Sequence, residues 1–68
     1  MSIIDIIDRR IMHWQNRLAR AEGELHSENP NITEERRAAM YQQCRLCSSV
    51  IVELRGIREE VKTIGEKN

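Results

Sequence analysis

The stretch Ile4-Asp5-Ile6-Ile7-Asp8-Arg9-Arg10-Ile11-Met12-His13-Trp14-Gln15-Asn16-Arg17-Leu18 decides the fold of this chain. Within it and just beyond, apolar residues fall at Ile4, Ile7, Ile11, Trp14, Leu18, Ala21 and Leu25, in alternating steps of three and four. A helix turns once in about 3.6 residues, so this rhythm draws one apolar stripe along one helix face. The rhythm returns at Met40, Cys44, Cys47, Ile51 and Leu54, and Ile57, Val61 and Ile64 extend it on a slightly rotated line. Two such stripes call for helix packed on helix, and the fold class is all-α.

Local signals set the boundaries. Ser2 followed three residues later by Asp5 makes a capping-box-like start, and the first helix is expected over about 2–27. Residues 28–32 hold the turn formers, with Pro30 disfavouring helix at the residue before it. Thr33 caps a second helix over about 33–64, with Glu34 and Glu35 suited to the positive end of its dipole. Gly65 offers a left-handed cap, leaving 65–68 as a frayed tail. A turn this short returns the chain antiparallel, giving a single two-helix hairpin domain. Folding near residue 30 pairs Ile7 with Leu54, Ile11 with Val50 and Ile51, Trp14 with Cys47 and Ala21 with Met40.

The hairpin leaves apolar residues over. Ile3, Ile6, Leu46, Val50, Ile57, Val61 and Ile64 lie off the main stripes or on an overhang of the longer second helix. Exposing a large apolar side chain forfeits roughly 1.5–3 kcal/mol, and a short chain buries little surface to begin with. These residues are the expected oligomer interface, through which two hairpins pair into a four-helix-bundle homodimer or a higher symmetric oligomer.

Composition narrows the function classes. The 68 residues carry 11 basic and 11 acidic side chains, a balance that disfavours wholesale coating of nucleic acid. No apolar run approaches the ~18 residues of a membrane span, and Asp5 stands where a secretory leader would be apolar. Two cysteines without a disulfide framework fit a reducing compartment, and the expected location is cytoplasmic. Cys44 and Cys47 fall on the core stripe well inside a helix, away from the N-terminal position that activates redox pairs, and are expected as packing residues. A single cysteine pair with His13 nearby is a weak zinc signal, so neither metal nor cofactor is assigned. No serine, histidine and carboxylate converge by spacing, hence no catalytic residue is named and the chain is expected not to be an enzyme. Gly56, in mid-helix, suggests a close helix approach or a kink.

Arginine is the remaining signal. It supplies nine of the 11 basic residues, and acid-free stretches hold Arg9, Arg10, Arg17 and Arg20 on one helix and Arg36, Arg37 and Arg45 on the other, side by side in the hairpin, with Arg9, Arg10, Arg17, Arg20 and Arg45 singled out from them. Guanidinium groups suit bidentate capture of carboxylate or phosphate. Those five arginines form the candidate patch for a partner or an anion, set against a bland alternative of solvated flanks with pairs such as Asp5–Arg9, Arg20–Glu24 and Arg55–Glu59. The expected function is a small accessory or regulatory protein, of the kind bacteria and phages carry, that self-associates and binds a protein. The alternative is a binder of RNA or a phosphate-bearing ligand through an arginine belt at subunit clefts.

Overall fold

The computed structural model describes residues 2–27 and 31–67. Helix α1 runs Ile3–His26 and helix α2 runs Glu34–Lys67, and the described residues hold no strand. Each end of α1 is closed by its own side chains. The Asp5 N–H donates to Ser2 Oγ at 3.2 Å, and the Ser2 N–H donates to the Asp5 carboxylate at 3.3 Å. This is the reciprocal box expected of the pair. At the other end Ser27 turns extended, and both its N–H and its hydroxyl donate to the Glu24 carbonyl. Thr33 opens α2, its Oγ1 accepting the Arg36 N–H at 3.1 Å. Of the expected turn, residues 28–30, Pro30 among them, lie outside the described residues.

The far end of α2 differs from expectation. Gly65 keeps helical backbone with no positive φ, and the helix continues through it to Lys67. A left-handed cap is held by an apolar residue folding back onto the last turn, and Glu66 and Lys67 supply none.

Ile7, Ile11 and Ile51 form the buried centre, with Trp14, Leu18, Leu54 and Val61 packed around them. Cys47 and Ala21 are buried further along the seam. Val61 corrects the sequence reading: it is half-buried against the core rather than stranded on an overhang. Helical side chains lean toward the N-terminus of their own helix. In an antiparallel pair the two leans run in opposite directions, so toward the open end partners lie further along α2 than the fold point implies, whereas beside the turn Glu24 meets Arg36 in register. The Asp8–Arg58 ion pair, Nε to Oδ1 at 2.7 Å, is displaced in the same sense.

The ion pairs also differ from those expected. Glu24 takes Arg36 from the other helix, with Nε and Nη2 donating at 3.2 and 3.1 Å, and Arg58 reaches across to Asp8. None of the four-residue pairs named from the sequence is formed among the described residues. Paired guanidinium fork and carboxylate match in shape, which favours the cross-helix arrangement.

A β-carbon built on Gly56 meets nothing within 4 Å, so a close approach of the two helices of the hairpin does not explain this glycine.

The hairpin is one layer thick, with Cα extents of 56 × 18 × 12 Å. Its accessible surface is 5661 Å², whereas a compact protein of 8.0 kDa exposes about 4,500 Å². The surplus is on the order of 1,200 Å².

Candidate interaction surface

A helical pair in one layer has two broad faces, and the chemistry is divided unevenly between them. Arg17, Arg20, Glu24, Arg36, Met40 and Gln43 line one groove near the turn, of ≈ 270 Å³. Gln15, Leu18, Ser48, Val52 and Arg55 line a groove on the opposite face. These two sets orient everything else, because residues seven apart return to nearly the same side of a helix.

Counting in sevens from Gln43 gives Val50, Ile57 and Ile64, and counting back from Arg17 gives Arg10 and Ile3. Leu46, Val61 and Ile6 fall within a turn of these lines. All seven residues expected at an oligomer interface therefore share one broad face. Leu46 (52%), Ile57 (46%) and Ile64 (60%) are substantially exposed there, as are Ile3 and Ile6, while Val50 and Val61 are half-buried. The remaining large exposed apolar residues, Met12, Tyr41 and Val52, do not join them. Val52 belongs to the opposite groove and Met12 to a third one, with Asp5, Asp8 and Arg9, on the outer side of α1.

The arginine belt is broken by the same geometry. Arg17 and Arg20 meet in the first groove, joined by Arg36, which belongs to the second acid-free stretch but not to the five-residue patch drawn from it. Arg45 stands one turn before Ser48 and two before Val52, which places it on the opposite face. Arg9 lines the outer groove of α1, and Arg10 sits between the apolar tip and the arginine groove. Runs of sequence without acids are too coarse a signal: at about 100° per residue, a run wraps all round a helix.

Within the groove the three guanidinium groups are not equivalent. Arg36 is held by Glu24. Arg17 lies over the Trp14 ring, its guanidinium carbon 4.9 Å from the centroid, and His13 meets the same ring edge-on at 5.8 Å and 86°. Trp14 is thus shared between the core and a cationic surface. Among the described residues neither Arg17 nor Arg20 forms an ion pair. Their charge is available to an external anion.

The cysteines point away from chemistry. Cys47 is wholly buried, with only a weak 3.9 Å approach from the Gln43 amide, and Cys44 is half-buried. Burial raises the Cys44 thiol above 9.0, assisted by the nearby Glu22 carboxylate and Cys47. A redox or metal-binding thiol needs the reverse shift. Among the described residues no three His, Cys, Asp or Glu side chains gather as a metal site, and no helix is long and apolar enough to cross a membrane.

The structure thus defines a two-helix hairpin with one apolar and arginine-bearing face. No protein-family model, curated protein or solved structure matches this chain.

Proposed function

We propose that this chain is a non-enzymatic interaction protein that pairs with a second copy into a four-helix assembly and offers its arginine groove to an acidic protein surface. The supporting observation is the surplus of roughly 1,200 Å² of accessible surface, on a molecule that sets five of the eight large exposed apolar residues among those described on one face. A standard interface buries about 800 Å² per partner, so one isologous contact accounts for most of the surplus. The pairing of Arg17 and Arg20 without carboxylates of their own favours a carboxylate-bearing partner. Zero net charge weighs against RNA, and Trp14 is turned to the core and to Arg17 rather than offered for stacking.

Trp14 reports directly on the groove, because its ring carries the Arg17 guanidinium. The expected result is a sedimentation mass of two chains at micromolar concentration, with Trp14 emission changing as poly-glutamate is titrated in. Changing Arg17 and Arg20 together to glutamine should leave the mass unaltered and abolish the poly-glutamate response. A folded single chain removes the self-association. Preference for an RNA oligonucleotide, with affinity collapsing as salt rises, transfers the groove to the alternative reading.

A further inference from the structure

The open seam of α2 matches its own reverse to within one residue. Its apolar members are Leu46, Val50, Leu54, Ile57, Val61 and Ile64, with Leu54 and Val61 shared with the hairpin core. Lay two copies of α2 antiparallel about residue 55. Leu46 of each then stands opposite Ile64 of the other, and Val50 and Leu54 come within one residue of Val61 and Ile57. A two-fold contact requires this reciprocity, in which residue i meets j and j meets i.

Resting on the self-association reading above, we propose that the second copy occupies this seam by packing α2 against α2 in antiparallel register about residue 55. The open ends of the two hairpins then overlap, with Ile3 and Ile6 closing over the contact from α1. Three observations favour this mode. The line from Leu46 to Ile64 is apolar at six positions, with Glu53 and Glu60 bordering it on the solvent side, where their carboxylates can stay hydrated. The surplus surface matches the area a stable pair removes from water. Lastly, Arg17 and Arg20 lie beyond the overlap, toward the turn. A parallel pairing would instead draw the arginines of both copies into one interface, set like charges together and align the helix dipoles unfavourably.

The arrangement has a functional consequence. Gln43, in the arginine groove, lies twelve residues from the two-fold, so the two grooves stand about 35 Å apart at opposite ends of one rod. An acidic partner with two sites at that span would be held bivalently.

A charge-exchange experiment tests the register. Leu46 and Ile64 are both exposed in the hairpin, so Leu46→Lys and Ile64→Glu should each retain helicity by circular dichroism. Each alone should weaken pairing about tenfold or more, by setting charges against an apolar side chain. An equimolar mixture should recover the two-chain mass. In the mixed pair the introduced lysine of one chain faces the introduced glutamate of the other, and the second such contact keeps its native Leu46 and Ile64. Doubled wild-type mass with no recovery in the mixture overturns the register while leaving self-association intact. Two variants that both stay doubled remove the seam from the interface. A single-chain wild type overturns both readings and assigns the seam to a different protein.

Discussion

α2 carries two apolar seams of nearly the same length, roughly a quarter-turn apart, and only one of them is closed. Met40, Cys44, Cys47 and Ile51 face α1, whereas Leu46, Ile57 and Ile64 face outward. Spacing alone does not separate them, since both follow steps of three, four and seven. What separates them is connectivity. A hairpin has one neighbour to offer each helix, so one seam is satisfied at folding and the other stays exposed. The residue types agree with that division. The closed seam uses small thiols where helices approach, and the open one uses branched aliphatic residues that bury more area on contact.

The sharpest way to break this comparison is one truncation on each seam. Ile51→Ala empties a buried site and should cost about 2–4 kcal/mol, seen as a lower urea midpoint at every protein concentration. Ile57→Ala removes a half-exposed side chain and should lower the midpoint only where copies pair, the effect vanishing on dilution. Equal, concentration-independent losses from both would mean the two seams are covered within one chain.

Thiol reactivity sharpens the same contrast along the closed seam. Cys47 is sealed and Cys44 only half-covered, so iodoacetamide should modify Cys44 first, with Cys47 slower by about a hundredfold or more because it waits for the hairpin to open. The raised Cys44 thiol also fixes a pH dependence. Its folded form resists ionisation more than the unfolded chain does, so stability holds below 9.0 and declines as pH climbs past that value. Urea midpoints measured between pH 7 and pH 10 check the sign, and Cys44→Ser should flatten the decline.

Much of the architecture is legible in the sequence because it rests on local rules. Helix periodicity, the Ser2–Asp5 box and the Thr33 cap each depend on residues within one turn of each other. The outward apolar residues are legible too as a set, since they are what one stripe leaves over. What escapes is anything set by the relation of one helix to the other. Val61 reaches the core because of opposed side-chain lean, and Arg45 leaves the patch by rotation. Arg36 is legible through its acid-free stretch, which the hairpin sets beside that of Arg17 and Arg20, but its capture by Glu24 is not. Nothing in the chain order of Arg45 separates it from Arg36, and only its angle around α2 does so.

Gly56 is the smallest lever and the most specific one. It stands on neither seam, its built β-carbon meets nothing within 4 Å, and its backbone is ordinary helix. Glycine at such a site carries only the cost of backbone freedom lost on folding. Gly56→Ala should therefore raise stability by about 0.5–1 kcal/mol, read from the urea midpoint, and leave the two-chain mass unchanged. The proposed register depends on that second result. An antiparallel pair centred near residue 55 brings two copies of this stretch of α2 close together, but on the side away from Gly56. Loss of pairing with preserved helicity would show the helices meeting across the glycine instead, and the open seam would then have to be rotated by about a third of a turn to reach its partner.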